Sequence, residues 1–385
     1  MIGLHRLKKE TPCVNDSRRR IDSVHPSTGS CISVVRAPGV EWDRLHSVLV
    51  SAGIPLPIES YSEFPIDGRH QRVLFGVQTS SGQWLWGGVA DVGRSRVIPW
   101  RSVIRVHRVG RAIPADLLEP VVAVYAFVSG LEKALRLHVE LSDCDASTRV
   151  QSVEAFCLHG YRAVAEPRLY SSTILVDLKC DEADLLASFH STCRRHIRGL
   201  VKFRLQCETI TDQRLADRLT ALDAETMGRT GGTVDALSWP DMLRFVSAYP
   251  NEAVVLGVRR ADVSDESALV GYVLGVRHGD TIEYRRAGST RLGDLRAPLL
   301  YAPTWELMRW GKNNGARWFD FGGVADGSHS SGEATGGISD FKRYFSNKTT
   351  EIGAELIYTP SPHLDRLARA IPFGIALLAG AFRRK

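Results

Sequence analysis

The chain has 385 residues, 44% hydrophobic and 24% charged, the balance of a globular protein with room for two cores of ordinary size. Its formal net charge of +6 favours anionic partners such as phosphates, RNA or an acidic membrane surface, yet 43 acidic residues keep it from being a simple polycation. Seven cysteines, odd in number and without a C-x-x-C spacing, argue against a disulfide framework or a zinc site and for free thiols in a reducing cytoplasm.

Residues 1–30 are polar and rich in Ser and Arg, and read as a disordered basic tail without the apolar run of a secretion signal. Residues 41–50 have the spacing of an amphipathic helix, and 73–78 and 84–90 read as strands around the turn Thr79-Ser80-Ser81-Gly82. Pro114 starts a helix expected to reach Arg136, with a strand over 137–141 after it. A helix over 148–159 stops at Gly160, and 172–178 is the next strand, so residues 31–180 are expected to form a first mixed α/β domain. The second half repeats the alternation. A helix over 181–203 is opened by acids and closed by bases, as the helix dipole favours. A strand (204–211) and two helices (212–227, 240–248) follow, then strands at 253–259, 268–277 and 281–287. The last two are joined by the hairpin signal His278-Gly279-Asp280. A helix over 298–314 stops at Gly315, and 351–358 is a final strand that closes a second domain over 181–360. The two units suggest a duplication, although no residue-level repeat is visible. In the last segment, 361–385, about a dozen apolar residues precede Arg383-Arg384-Lys385, short of the roughly 20 needed to span a bilayer. That segment reads either as a buried terminal helix or as a basic helix lying on an anionic bilayer.

Chemistry concentrates between residues 314 and 345. A short aromatic strand, Trp318-Phe319-Asp320-Phe321, ends on Gly322-Gly323, and about twenty positions on Lys342 sits between Phe341 and Tyr344. Strand ends and the loops after them are where α/β folds place reacting groups. Asp320 is a candidate base or a carboxylate that orders the turn, and Gly322 and Gly323 allow positive φ or close approach of a ligand. Tyr284 and Arg285 lie on opposite faces of the hairpin strand beside this site, and one face is expected to touch substrate. Arg194 and Arg198, in a basic helix end with Arg195, Lys202 and Arg204, are either a solvated face or a contact for a diphosphate or tRNA backbone. No Walker, nucleophile-elbow, zincin or dinucleotide fingerprint is present, and the twelve histidines show no metal spacing.

Residues 31–360 resemble the Fem-type peptidoglycan aminoacyltransferases. The resemblance rests on Ser191-Thr192-Cys193-Arg194-Arg195-His196-Ile197-Arg198, on the Trp318–Gly323 strand and turn, and on Phe341-Lys342-Arg343-Tyr344-Phe345. Thr192 and Cys193 stand where that family often has a lysine, and the long coiled-coil arm of some members is absent. The resemblance implies an α/β (α+β) architecture of two tandem acetyltransferase-like (GNAT-like) domains, with mixed sheets flanked by helices. It implies transfer of an amino acid from aminoacyl-tRNA to an amine of a nucleotide- or lipid-linked peptidoglycan precursor. No cofactor or metal is implied beyond the tRNA co-substrate. It gives Lys342 a positive charge to place on the oxyanion or on a tRNA phosphate, and sets Phe341 on the substrate side. The enzyme would serve cell-wall organisation and cell shape from the cytoplasm, or peripherally at the inner face of the membrane. Two alternatives stay open: an acyl-CoA-dependent enzyme acting on an amino sugar or polysaccharide precursor, and a non-catalytic RNA- or membrane-binding protein on a degenerate transferase fold. Against the first stands the turn over 289–298, which has one glycine and an acid where coenzyme A enzymes of this fold use a Gly-rich phosphate cradle.

Overall fold

Runs of Val, Ile and Leu bounded by turns build two mixed sheets, each covered by helices on its apolar faces. The computed structural model describes residues 21–24, 31–36, 39–65, 70–109, 113, 117–165, 170, 172–230, 237–291, 297–324 and 336–370. The chain begins with β1 (Ile21–Val24), β2 (Cys31–Arg36), α1 (Val40–Ser51), β3 (His70–Gln78), β4 (Trp84–Arg94) and β5 (Ser102–Val109). It continues with α2 (Leu118–Leu131), β6 (Ala134–Ser142), α3 (Ala146–Leu158) and β7 (Arg162–Ala163). Next come β8 (Ser172–Asp177), α4 (Glu182–Ser188), α5 (Ser191–Gly199), β9 (Leu205–Thr209), α6 (Ala216–Thr230) and α7 (Trp239–Ala248). The central strands β10 (Ala253–Arg260), β11 (Leu269–His278) and β12 (Thr281–Ser289) lead to α8 (Tyr301–Asn313) and β13 (Trp318–Gly323). Last are α9 (Gly336–Arg343), β14 (Thr350–Glu351), β15 (Gly353–Tyr358) and a helical stretch over 362–370.

The first sheet has eight strands in the order β1-β2-β3-β4-β5-β6-β15-β7, and the second has seven, β14-β8-β13-β12-β11-β10-β9. Each contains one parallel pair, β5 with β6 and β12 with β13, joined through α2 and α8 respectively. Each parallel pair is then flanked by an antiparallel strand, β15 or β8. The two halves therefore share a plan, the α/β, GNAT-like arrangement expected from the sequence.

Three expectations are corrected. The strand at Ser172–Asp177 joins the second sheet, and the one at Gly353–Tyr358 joins the first, so the boundaries at 180 and 360 each misplace one strand. The second domain is thus inserted between β7 and β15 of the first. Within the tail read as disordered, Ile21–Val24 pair antiparallel with Cys31–Arg36 in β1–β2, while residues 1–20 lie outside the described ones. The single helix over 181–203 is instead two, because Phe189 and His190 are extended. Asp181 caps α4 through the Asp184 N–H and His190 caps α5 through the Thr192 N–H, so a second helix starts where one was expected to continue. The apolar run after residue 370 lies outside the described residues, and no described helix is long and apolar enough to cross a membrane.

The core of the first sheet packs Phe75, Val121, Tyr125, Val139 and Phe156 beneath α2 and α3. In the second, Trp239, Phe245 and Tyr272 fill one face, and Phe319, Phe321, Trp305 and Phe345 the other. The halves are locked together after α1, where Ile58 and Phe64 enter the core under α7. There the Ile58 N–H donates to His278 Nδ1 at 3.2 Å.

Candidate functional site

The parallel strands β12 and β13 pair at only three positions: Thr281 with Trp318, Ile282 with Phe319, and Glu283 with Asp320. Beyond these they part. On the other side of β12 the register with β11 slips at Leu274/Gly275, where Arg286 and Tyr284 are partnered and Arg285 is the extra residue of a bulge. The extra twist of a bulge helps to open the wedge between the strands. Aromatic rings line it, with Tyr284 5.8 Å from Phe321 and 6.3 Å from Phe341.

Lys342 lies in α9 at the mouth of this wedge, is only 7% exposed, and donates from Nζ to the Gly323 carbonyl at 2.6 Å. Burial brings its pKa down from 10.5 to about 8, against the pull of Asp320 and Glu283. The carbonyl is presented by a turn that needs both glycines. Gly322 has φ +71°, and a Cβ on Gly323 would stand 2.5 Å from the Tyr170 Cβ. Asp320 holds the same turn. Its Oδ1 accepts the Gly322 N–H at 2.8 Å and the Thr173 hydroxyl, and its Oδ2 lies 3.7 Å from the Arg108 guanidinium.

Arg108, near the end of β5 in the first domain, binds the two halves of the site together. Its backbone is in the left-handed region at φ 45°, and its guanidinium donates to the Glu283 carboxylate and, at 3.1 Å, to the Tyr170 hydroxyl. Burial works against its charge, but Glu283, Tyr170 and Asp320 outweigh it and raise the pKa. Burial likewise opposes the Glu283 carboxylate, which Arg108, Arg285 and His278 together hold well below the usual carboxylate range. Because His278 Nδ1 accepts the Ile58 N–H, its Nε2 carries the proton and donates to Glu283 at 2.9 Å. Burial raises the Tyr170 phenol above its usual value, so it stays a neutral donor and acceptor. A cavity of about 490 Å³ opens between the sheets, with Leu85, Trp86 and Val106 on its apolar side and Arg108, His278 and Asp320 on its polar side.

Of the residues singled out in the sequence, Lys342, Asp320, Gly322 and Gly323 come together, with Tyr284 and Phe341 in the adjoining wedge. Arg285 turns instead to the acids between the domains, 3.3 Å from Glu283 and 3.7 Å from Glu59. Arg194 donates to the Ala187 and Phe189 carbonyls and so closes α4, while Arg198 is exposed on α5; no described bond ties either to Lys342 or Asp320. Sequence reasoning missed Arg108, Tyr170, Thr173, His278 and Glu283. Only Glu283 had a usable signal, since it is two positions before Arg285 and shares its strand face.

Residues 187–343, from the end of α4 through Lys342, match the family model of the acetyltransferase (GNAT) domain. The class follows for that stretch: residues 187–343 carry a GNAT-type acyltransferase domain. Among solved structures the chain is similar to that of FemX, with a TM-score of 0.64 and 13% identity over 77% of this chain and 90% of that one. It is also similar to L-PGS from Bacillus licheniformis, with a TM-score of 0.52 and 13% identity over 90% of this chain and 98% of the other. At that identity the likenesses speak for the fold. No curated protein sequence matches the chain.

Proposed function

We propose that this acyltransferase moves an amino acid from aminoacyl-tRNA to an amine of a nucleotide- or lipid-linked peptidoglycan precursor peptide, and so serves cell-wall assembly from the cytoplasmic side. The observation that carries the reading is the buried Lys342 ammonium, fixed on the Gly323 carbonyl beside Asp320. An aminoacyl ester is already activated, so the reaction needs position and charge rather than a covalent intermediate. The acceptor nitrogen bonds to the ester carbon, the ester C–O bond breaks, and the proton lost by the amine is balanced by one gained by the departing ribose hydroxyl. Negative charge gathers on the carbonyl oxygen in between, where a desolvated ammonium counts for most. Asp320 acts through Lys342: with its oxygens on Gly322, Thr173 and the side facing Arg108, it positions the turn and raises the affinity of Lys342 for its proton.

The end of β12 suits an ester donor better than a coenzyme A thioester, as far as its described amides go. The Ser289 N–H donates to Thr226 Oγ1 at 3.0 Å and the Thr290 N–H to the Val270 carbonyl at 2.9 Å, so neither amide is free to cradle a pyrophosphate. The test offers labelled aminoacyl-tRNA or acyl-CoA together with a muropeptide precursor. The expected result is acceptor-dependent consumption of aminoacyl-tRNA, lost by about 10²-fold or more in Lys342→Ala with an unchanged circular dichroism spectrum. Transfer from acyl-CoA alone would overturn the reading in favour of an amino-sugar or polysaccharide acyltransferase. Transfer from neither donor would favour a binding protein on a degenerate fold.

A further inference from the structure

We propose that the edge of the first domain around Trp100 docks the protein onto an anionic lipid surface. Trp100 projects from the β4–β5 connection and is 73% exposed, an unusual position for the largest apolar side chain. It borders an open groove lined by Arg94, Arg96, Arg101 and Lys133, none of which has an ion-pair partner among the described residues. The one acid lining that groove, Glu132, is spent on Arg36 at 2.7 Å. The patch therefore combines a bare indole with uncompensated cations.

The helical stretch over 362–370 packs on the same edge. Leu364 and Ala368 sit against Ile98 and Leu135, and Arg136 pairs with Asp365. Its outer side shows Leu367, 54% exposed, and the exposed Arg366 and Arg369. From this helix the sequence runs directly into the apolar residues 371–382 and then Arg383-Arg384-Lys385. Aromatic and aliphatic side chains ringed by Arg and Lys are the composition of an interfacial anchor, in which the ring enters the headgroup layer and the cations meet lipid phosphates. A nucleic acid would account for the cations and the indole, but leaves Leu367 and the apolar sequence after it without a role. Arg108 is six residues along β5 from Ser102, so at about 3.3 Å per residue the acyl-transfer network stands roughly 20 Å from this edge. The surface is therefore separate from the network, and the inference holds whichever acyl donor is used.

The test is co-sedimentation of the full chain with phosphatidylcholine vesicles, with and without phosphatidylglycerol, with tRNA binding measured in parallel. Expected is binding to the phosphatidylglycerol vesicles only, weakened by salt and by Trp100→Ala. Arg94→Gln and Arg96→Gln should each weaken it roughly fivefold, the equivalent of about 1 kcal/mol per surface cation. All three positions are exposed, so folding and transfer to a soluble acceptor are expected to stay unchanged. The proposal is overturned if no vesicle is bound, or if neutral vesicles bind equally well. It is also overturned if the three variants bind vesicles like the parent, as when deletion of 371–385 alone removes binding, or if they lose tRNA binding instead.

Discussion

Moving the Lys342 ammonium out of water lowers its pKa from 10.5 to about 8, so the folded protein binds this proton less tightly than the unfolded chain. Between those two values the unfolded state holds more protons, and stability rises with pH; below about pH 8 the whole cost is present. At about 1.4 kcal/mol per pH unit that cost is about 3 kcal/mol. A lysine kept only for packing would not carry such a burden. Lys342→Met is therefore expected to leave stability at pH 7 unchanged or raise it by up to about 3 kcal/mol in urea unfolding, while abolishing transfer. A fall in stability together with loss of transfer would make the lysine structural. The same charge predicts an alkaline limb: transfer falls as pH rises through about 8, where Lys342 loses its proton. Because Asp320 raises that pKa, Asp320→Asn is expected to move the limb to lower pH, and a pH–rate profile with an unmoved limb would deny Asp320 its positioning role.

At the scale of strands and helices, the site exists because β12 and β13 stay paired for only three residues and a first-domain arginine reaches into the gap. Glu283 is buried and Arg108 largely so, and removing either leaves an uncompensated charge, a loss of up to about 3–5 kcal/mol. In a double-mutant cycle of Arg108→Met and Glu283→Leu followed by urea unfolding, the double variant is expected to lose clearly less than the sum of the singles. Additive losses would mean that the pair does not couple the domains. Much of this region was legible in advance. The hairpin at His278-Gly279-Asp280 forms with His278 opposite Thr281 and Gly279 at φ +59°, and the aromatic strand at Trp318 ends on its two glycines. These features are local, set by turn chemistry and alternation. Arg108 and Tyr170 were not legible, since their meaning comes from partners 175 and 62 residues away along the chain. Nor was the break between α4 and α5, because a histidine is not an ordinary helix cap.

For the whole molecule, the consequential feature is that the second sheet is drawn from one continuous stretch, β8 through β14, while the first is finished only by β15. Sequence gives no hint of this, because the short apolar runs of β8 (Ile174-Leu175-Val176) and β15 (Leu356-Ile357-Tyr358) suit either sheet, and pairing between distant strands leaves no local mark. The physical consequence is asymmetric. Without β15, the backbone of β6 from Leu137 to Ser142 loses its partner strand, and Leu356 is removed from the core under α2 and α3. A first domain cut off at residue 171 also lacks the Arg149 bonds to the Glu351 carbonyl and carboxylate of β14, each 2.9 Å. An unpaired edge of six residues, with Leu137, Val139 and Leu141 along it, is a template for aggregation. A fragment of residues 1–171 is therefore expected to aggregate when expressed alone and to become soluble and cooperative in unfolding when residues 350–370 are supplied in trans. Residues 172–351 contain every strand of their sheet and are expected to fold alone, yet to lack transfer, because Arg108 and Tyr170 stay behind on the other fragment. Cooperative unfolding of 1–171 without the added strand would show that β15 is dispensable to the first domain, and would return the boundary to the simple tandem order that the sequence suggests.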